Sequence, residues 1–323
     1  MYHRLVEPRA GRHGHGVRDV TVPLVTAFIP SYNNARFLPA ALDSVSQQTF
    51  RDFELIIVDD SSSDESVQVI QKWLPQQPFE CKFITHTENR GLCRTVNEIL
   101  ATARGRYLAC VASDDRWCPD FLETFALRMN LLPDDVAVLY GDIDLIDEDG
   151  RVSPHVLNGG FLRTSPPPEG HVFDELWRLN FVPAIATMCR TEYLREIGGY
   201  DEGLWFEDWD MWLRLADKYA FAFQPGILAQ HRIVSTSMTG SPEGRRSIAI
   251  SSRQIRLKWF NRLCSQREAP EEVLYWPNAA KDLHSIGHPA AVRYARKKWH
   301  LERTVGSLML LTSIRLGLPS FWH

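Results

Sequence analysis

Adjacent carboxylates are the residues of this sequence that are best suited to chemistry. Asp59-Asp60 follows the apolar run from Phe53 to Val58, and Asp114-Asp115 follows the run from Tyr107 to Ala112. Paired carboxylates at a strand end can hold a hard divalent cation, which in turn bridges phosphate oxygens that the acids would otherwise repel. The spacing therefore predicts a metal-assisted phosphate site at Asp114-Asp115.

A second acidic pattern, Asp142-x-Asp144, is a weaker candidate. It follows a further apolar run and leads into Asp147-Glu148-Asp149-Gly150, a composition that predicts an exposed turn. Leu145 and Ile146 stand where a calcium loop would need oxygen ligands. We therefore expect the metal at the first pair.

The elements that must position these acids are short apolar runs alternating with helix-period segments, a pattern typical of a mostly parallel α/β sheet. The predicted strands are Val25–Ile29, Phe53–Val58, Cys81–Thr85, Tyr107–Ala112 and Val136–Tyr140. In such sheets ligands bind outside the carboxyl ends of the strands. The polar groups at Pro30 to Asn34, Asp59 to Ser61 and Ser113 to Asp115 should therefore meet in one cleft.

Composition and missing motifs exclude several classes. The chain has 323 residues, 44% of them hydrophobic, which is enough for a large core, and its net charge of -4 gives no field that would attract nucleic acid. The six cysteines form no CxxC pair, which favours reduced thiols in a cytoplasmic protein. The sequence also shows no signal-peptide core, and it has no GxGxxG or Walker loop of the kind that dehydrogenases and P-loop NTPases need.

A set of ordered motifs between about Val22 and Thr239 points to a family. The motifs are Ile29 to Asn33, Ser46 to Phe50, Phe53 to Asp64, Asn89 to Gly91, Asn97, Ala103 to Tyr107, Ser113 to Asp115, Gly198 to Glu202 and Glu207 to Asp210. Together they closely resemble family 2 glycosyltransferases. The resemblance implies a GT-A fold, meaning a Rossmann-like, mostly parallel sheet with helices on both faces, and it implies Mn²⁺ or Mg²⁺ and an inverting single displacement.

The same resemblance implies roles for individual residues of the donor site. Pro30, Tyr32, Asn33 and Asp60 would bind the nucleotide, with Tyr32 stacking on the base and Asp60 accepting a hydrogen bond from it. Arg94 would add a base or phosphate contact, although an exposed helical arginine is an equal alternative. Asp115 would be the direct metal ligand, and Asp114 would contact the nucleoside or sugar.

The resemblance also implies an acidic pair at the reaction centre. Asp208 would be the base that removes the proton from the acceptor hydroxyl, with Glu207 orienting it and Asp210 as a substitute. An acidic helix start stabilised by the helix dipole is the alternative. Trp205, which precedes the predicted helix, is a candidate for acceptor contact, whereas Trp209 and Trp212 fall on one helical stripe and are expected in the core.

One stretch departs from the family pattern. Family members often carry a histidine near the end of the catalytic region that can touch the diphosphate or metal, and Val234 stands at that position here. Either His231 and Arg232 supply the phosphate contact or the site is less complete.

These expectations give a domain plan and a function. Residues 1–20 are predicted to be flexible, 21–240 to form the GT-A domain (21–140 nucleotide-sugar-binding, 141–240 acceptor and catalytic), and 241–323 to form a helical C-terminal extension. That extension could pack on the domain, form a homodimer or lie on the inner face of the plasma membrane. The predicted activity is transfer from a nucleotide-diphosphate sugar, with UDP favoured, to a saccharide or lipid-linked hydroxyl. The alternative is a catalytically inactive nucleotide-sugar-binding scaffold.

Overall fold

The structure is a computed structural model that describes residues 22–152, 166–204, 208–235, 237, 240–266 and, with gaps, 280–315. A sheet of eight strands forms the centre of this described part. The strands are β1 (Val25–Ser31), β2 (Phe53–Asp59), β3 (Cys81–Thr85), β4 (Tyr107–Cys110), β5 (Arg116–Trp117), β6 (Val136–Ile146), β7 (Thr187–Arg190) and β8 (Ala220–Arg232).

The order of the strands across the sheet is β3-β2-β1-β4-β7-β6-β8-β5. Strands β3, β2, β1 and β4 are parallel to one another, which confirms the pattern predicted for the first half. Strand β7 is antiparallel to both β4 and β6, whereas β8 runs parallel to β6. The short strand β5 pairs antiparallel with the far end of β8.

Helices cover both faces of this sheet. They are α1 (Leu38–Ser46), α2 (Ser66–Trp73), α3 (Leu92–Thr102), α4 (Phe121–Leu131), α5 (Phe173–Arg178), α6 (Thr191–Glu196), α7 (Asp208–Ala216), α8 (Pro242–Gln266) and α9 (Val305–Arg315). In β1, Val25, Ala27 and Ile29 pack with α1 and α4, while Phe28 packs with α3 on the opposite face. Burial on both faces is the reason that the middle of β1, Ala27 to Ile29, and of β2, Leu55 to Val58, is apolar without interruption.

Two features of the second half differ from the sequence predictions. Strand β6 continues six residues past Tyr140, so Asp142 and Asp144 lie inside a strand and not after it. The 13-residue strand β8 was not predicted because Pro225-Gly226 reads as a turn. These two residues form a bulge between the pairs Gly141 with Gln224 and Asp142 with Ile227, and Gly226 has a φ of 101°, which glycine adopts readily.

A buried network at the amino end of the sheet accounts for the motif from Ala103 to Tyr107. The Glu54 carboxylate accepts hydrogen bonds from Thr26 Oγ1 (2.7 Å), the Arg104 backbone N–H (2.7 Å) and Arg104 Nε (2.7 Å). Gly105 lies so close to β1 that a Cβ there would meet the Thr26 nitrogen at 2.3 Å. This motif therefore contributes to packing at the amino end of the sheet, away from the carboxyl ends of the strands.

The described part of the C-terminal segment is helical and shares the main core. Ile255 and Trp259 of α8, and Leu310, Leu311 and Ile314 of α9, belong to the hydrophobic cluster that also contains α3, α5 and α7. Among the residues that the structure describes, none of the helices combines the length and the apolar character that a membrane span needs. The buried residues of α8 and α9 therefore pack on the domain.

Candidate active site at the carboxyl edge of the sheet

The loops that follow β1, β2 and β4 are tied together by side-chain hydrogen bonds. Asn34 Nδ2 donates to Ser113 Oγ at 2.8 Å, which joins the loop after β1 to the loop after β4. Ser31 Oγ and the Ser62 backbone N–H both donate to the Asp59 carboxylate, at 3.0 and 2.8 Å, which joins β1 to the loop after β2. The three predicted polar strand ends therefore form one surface.

The loop after β1 has an unusual backbone that exposes one aromatic ring. Asn33 in this loop, and Ser61 in the loop after β2, adopt positive φ values of 51° and 67°, a conformation that costs non-glycine residues free energy. Asn33 offsets this cost because its backbone N–H donates to Ser62 Oγ and its Oδ1 accepts from the Ser63 N–H. Tyr32, in the same turn, is 49% exposed. An aromatic face held in this way can stack on a base.

Asp60 is buried at the end of β2 and is surrounded by donors. Its Oδ1 lies 2.6 Å from His86 Nδ1 and accepts from the Arg90 N–H at 2.9 Å, and its Oδ2 accepts from the Gly91 N–H at 2.8 Å. Asn89 Nδ2 donates to the Asp60 carbonyl at 3.3 Å. The Asn89-Arg90-Gly91 motif thus donates hydrogen bonds to Asp60. His86 is a further partner of Asp60 that the sequence analysis missed.

Arg94 lies on the exposed side of α3. Its Nε is 3.3 Å from Glu202 Oε2, and its side chain is 61% exposed. It lines an open pocket of about 480 Å³ together with Glu88, Arg90, Asn97, Glu98 and Glu202. The role predicted for Arg94 in donor binding stays a prediction.

Asp115 is fully buried and faces the end of β8. Its Oδ1 accepts a hydrogen bond from the Arg232 N–H at 2.7 Å and lies 3.0 Å from His231 Nδ1. His231 therefore does meet the predicted metal ligand across 116 residues of sequence. Burial, followed by repulsion from Asp115, raises the pKa of the neighbouring Asp114 to about 6. For His231, burial lowers the pKa, but the charge and hydrogen bond of Asp115 outweigh it, and the net pKa is raised.

The guanidinium of Arg232 is directed into the protein. Arg232 is 3% exposed, and it donates from Nε to the Asp114 carbonyl (2.9 Å) and from Nη1 to the carbonyls of Asp147 (2.8 Å) and Glu148 (3.2 Å). Its contacts favour a role in fixing the loop that carries Asp114 over the predicted phosphate contact. Val234 is also buried.

The donor set at this position fits a hard divalent cation. No group of three His, Cys, Asp or Glu side chains suited to a metal occurs among the described residues. Mg²⁺ and Mn²⁺ sites for nucleotides, however, commonly use one or two carboxylates and take the remaining ligands from phosphate and water. Asp114-Asp115 is such a pair. Burial and then the charge of Asp115 raise the pKa of Asp114, and a bound cation would relieve this repulsion.

Asp208 begins α7, and part of the segment before this helix contacts α3. Helix α3 starts beside Asp60, since Gly91 precedes it directly. The segment before α7 runs along α3: Asn97 Nδ2 donates to the Tyr200 carbonyl at 2.9 Å, and Cys93 Sγ, near the start of α3, contacts the Leu204 carbonyl at 3.2 Å. Asp208, four residues later, accepts a hydrogen bond from Asn180 Nδ2 at 3.1 Å. Glu207 and Trp205 lie outside the described residues.

Comparison with known proteins decides the family. The model of "Glycosyl transferase family 2" matches residues 26–198, which is more than half of the chain. The chain belongs to glycosyl transferase family 2. This confirms the resemblance that the ordered motifs suggested.

Relatives of this glycosyltransferase are distant. An uncharacterized glycosyltransferase of Methanocaldococcus jannaschii is 28% identical over 225 residues, covering 67% of this chain and 73% of that protein. TuaG of Bacillus subtilis, provisionally described as a teichuronic acid biosynthesis glycosyltransferase, is 26% identical over 220 residues, or 68% of this chain and 82% of that protein. Against an uncharacterized glycosyltransferase of Rickettsia bellii the identity is 24%, and the match spans 36% of that longer relative.

Solved structures confirm the GT-A fold. Residues 1–349 of S. aureus TarS, in complex with UDP-GlcNAc, superimpose with a TM-score of 0.59 at 18% identity, over 91% of this chain and 92% of that one. The mannosyltransferase PcManGT from Pyrobaculum calidifontis, in complex with GDP-Man and Mn²⁺, gives a TM-score of 0.57 at 18% identity, over 92% and 86%.

Three residues that follow Asp208 on α7 have structural contacts in this glycosyltransferase. They are Trp209, Asp210 and Trp212. Trp209 and Trp212 are buried, as predicted, and Trp209 Nε1 donates to the Leu176 carbonyl at 2.7 Å. Asp210 is fully buried, and its carboxylate accepts from Arg214 Nε (2.8 Å), Lys258 Nζ (3.0 Å) and Trp259 Nε1 (3.1 Å). These contacts favour Asp208 over Asp210 as the base.

Proposed function

We propose that this glycosyltransferase transfers a sugar, with inversion at the anomeric carbon, from a nucleotide-diphosphate sugar to an acceptor hydroxyl in a metal-dependent reaction. The observation that carries the proposal is that hydrogen bonds join the loops after β1, β2 and β4, which contain Asp60 and Asp114-Asp115, at the carboxyl edge of the sheet. The segment before Asp208 contacts the start of α3, which lies next to Asp60. A shared donor and cation would account for acids so far apart in sequence.

The donor site in this proposal is the surface between the ends of β1 and β2. Tyr32 would stack on the base, Pro30 and Asn33 would shape the turn, and Asp60 would accept a hydrogen bond from the base. A UDP-sugar is favoured, since the TarS neighbour carries UDP-GlcNAc. PcManGT with GDP-Man supports the same donor class with a different base.

Asp115, with Asp114 beside it, would hold Mn²⁺ or Mg²⁺. When bound, such a cation neutralises the charge that develops on the departing diphosphate. His231 would orient the Asp115 carboxylate through the 3.0 Å contact, in the way that outer partners commonly orient metal ligands.

Asp208 would be the base that activates the acceptor. As the acceptor oxygen bonds to the anomeric carbon, the bond from that carbon to the diphosphate oxygen breaks, and the hydroxyl proton passes to the Asp208 carboxylate. Nucleoside diphosphate leaves with the electron pair of the broken bond. Asn180 would fix the carboxylate through its hydrogen bond to Oδ1. Glu207 would help to orient Asp208, and Trp205 would contact the acceptor.

A panel of nucleotide sugars tests this proposal. We expect one donor to raise the melting temperature in the presence of Mn²⁺ more than in its absence, because ligands that bind the native state stabilise it. The same donor should then be turned over with a saccharide acceptor. Asp208→Asn should abolish transfer while donor binding persists, whereas Asp115→Asn should abolish the Mn²⁺-dependent shift. Asp43→Asn, on the exposed face of α1, is the matched control and should behave like the wild type.

If Asp208→Asn or Asp115→Asn kept full activity, the role assigned to that residue would be wrong. A chain that binds donor but turns over none of the panel would instead be the inactive nucleotide-sugar-binding scaffold.

The acceptor class and the place of action are part of the same proposal. The likeness to TuaG favours an acceptor that belongs to a cell-surface polysaccharide or glycolipid. In this proposal the sugar is transferred at the cytoplasmic side. The C-terminal helices could add a homodimer or a peripheral membrane contact. Liposome flotation of the full chain tests the membrane contact, and equal partitioning with and without lipid would reject it. A sizing measurement tests the homodimer, and a monomeric mass would reject it.

A further inference from the structure

Arg36 joins the loop after β1 to the loop after β6 through an ion pair. Its Nη1 lies 2.5 Å from Glu148 Oε2, and the side chains of Arg36 and Glu148 are 63% and 33% exposed. The other carboxylate oxygen of Glu148, Oε1, has Ser235 Oγ at 3.5 Å. An ion pair that is exposed to this degree contributes little to stability. It can therefore be broken at small cost when another anion is offered to Arg36.

The strand order places this ion pair beside the carboxyl end of β4. At the carboxyl edge of the sheet, β4 is the parallel strand between β1 and β6, because β7 runs in the opposite direction. A side chain that reaches from the loop after β1 to the loop after β6 therefore passes the loop that contains Asp114 and Asp115. Asn34, two residues before Arg36, donates to Ser113 in that same loop.

Phe37 connects the guanidinium of Arg36 to the predicted metal site. The Cζ of Arg36 lies 4.9 Å from the centre of the Phe37 ring, and the Cζ of Arg232 lies 5.2 Å from the same centre. Arg232 Nε in turn donates to the Asp114 carbonyl at 2.9 Å. Arg36, Phe37, Arg232 and Asp114 thus form a continuous series of contacts.

The arginines of this surface differ in what they can offer to a ligand. Arg232 is buried, and its Nε and Nη1 donate to backbone carbonyls. Arg116 donates to a side-chain amide and to a backbone carbonyl. Arg36 instead is exposed and has a carboxylate as its partner. Because carboxylate and phosphate oxygens both match the fork of a guanidinium, a phosphate can take the place of Glu148.

We infer that Arg36 binds the diphosphate of the nucleotide sugar and gives up Glu148 when the donor enters. Glu148 is then an internal anion that competes with the donor for one guanidinium. The same competition weakens the hold on the nucleoside diphosphate that leaves after transfer. The inference rests on the proposed function and goes beyond it by naming the side chain that meets the phosphates and the carboxylate that opposes them.

Calorimetric titration with UDP and GDP in saturating Mn²⁺ measures this competition. Uridine and guanosine, added in excess as competitors of their diphosphates, are the probes that lack phosphate. The variants are Arg36→Gln, Glu148→Gln and the double variant. Arg51→Gln, directly before β2, and Glu192→Gln, after the antiparallel strand β7, are the matched controls. Both control residues are exposed at the amino end of the sheet and should leave binding unchanged.

The two single variants should change affinity in opposite directions. Arg36→Gln should weaken the diphosphate about tenfold, because a hydrogen bond between charged groups is lost, and should leave the nucleoside unchanged. Glu148→Gln should strengthen the diphosphate about two- to fivefold, the range of an exposed ion pair. The double variant should bind like Arg36→Gln, because Glu148 acts through Arg36. Arg36→Lys, which keeps the charge, should recover part of the affinity.

Other roles of the ion pair would give other patterns. If it only held the two loops together, both single variants would weaken the diphosphate and the nucleoside alike. If Glu148 repelled the phosphates by its charge alone, the gain from Glu148→Gln would persist in the double variant. Either result, or unchanged diphosphate binding in Arg36→Gln, would overturn the inference while the donor site stands. If neither UDP nor GDP binds the wild type, the proposed donor site is wrong, and the inference fails with it.

Discussion

The indole Nε1 of Trp259 donates a 3.1 Å hydrogen bond to Oδ1 of Asp210, which joins α8 to the helix that begins at Asp208. Both helices lie beyond residues 26–198, the segment that the family model matches. The hydrogen bond therefore couples the C-terminal helix α8 to the helix of the proposed base.

Trp259→Phe tests this coupling. Asp210 is fully buried, so the loss of one donor should lower the free energy of unfolding by about 1–3 kcal/mol. Urea unfolding measures the change. Trp73→Phe, at a half-buried tryptophan on α2, is the control for the smaller ring. Equal losses in the two variants would show that ring volume, and not the hydrogen bond, is responsible.

The ion pair between Lys258 and Asp201 should make stability depend on pH. Lys258 Nζ lies 2.7 Å from Asp201 Oδ2, and its hydrogen bond is the largest influence that lowers the pKa of Asp201 below the ordinary value of 3.8. Because the folded pKa is the lower one, the pair stabilises the protein above pH 3.8, and this contribution is lost as the pH falls through the folded pKa. Asp201→Asn should therefore be less stable than the wild type at pH 7, with the gap narrowing below pH 3.8. Urea midpoints at several pH values measure it, and a gap that stays constant would contradict the assignment.

Gly105→Ala should destabilise the fold at the amino end of the sheet. The new Cβ would lie 2.3 Å from the Thr26 nitrogen and 2.6 Å from the Val25 carbonyl carbon, both backbone atoms that cannot rotate away. Overpacking of this kind costs about 1–3 kcal/mol or more. Thermal unfolding compares it with Gly203→Ala, where the nearest atom is the Asp201 Oδ1 at 3.3 Å. If the melting temperature were as high as that of the control, β1 and the segment before β4 would be able to move apart at Gly105 without loss of stability.

His231→Ala should weaken the response to Mn²⁺. The imidazole contacts Asp115 at 3.0 Å, and loss of an outer partner typically reduces metal affinity or activity about 10- to 100-fold. The measurement is the Mn²⁺ concentration that gives half of the thermal shift in saturating UDP. His171→Ala serves as the control, and an unchanged midpoint for His231→Ala would exclude the orienting role.

The first half of the sheet could be predicted because burial on both faces leaves a plain signal. All seven residues of β2 are buried, and Leu55 to Val58 appear as an unbroken apolar run. Strand β7 gives no such signal, since its four residues begin with Thr187 and end with the buried Arg190. The guanidinium of Arg190 is satisfied by backbone carbonyls near the start of β6, and only the tertiary structure provides those acceptors.

The candidate site shows the same limit. The acids at the strand ends could be found because strand ends converge by topology. The partners that hold them could not. His86, directly after β3, meets Asp60 after β2 and Glu98 on α3, and Arg232 points inward because carbonyls after β6 accept hydrogen bonds from its guanidinium. Local patterns contain neither relationship.

The position of β7 also limits how the chain can be divided. This strand comes from the part of the sequence after residue 141, yet it sits between β4 and β6 and is hydrogen-bonded to both. A fragment that stopped at residue 140 would lack β7 and cut β6 in the middle. It would expose the unpaired edge of β4, and unpaired edges of this kind recruit other chains. Expression of residues 21–140 alone, the predicted nucleotide-sugar-binding half, should therefore give aggregates and not a soluble fragment that binds the donor.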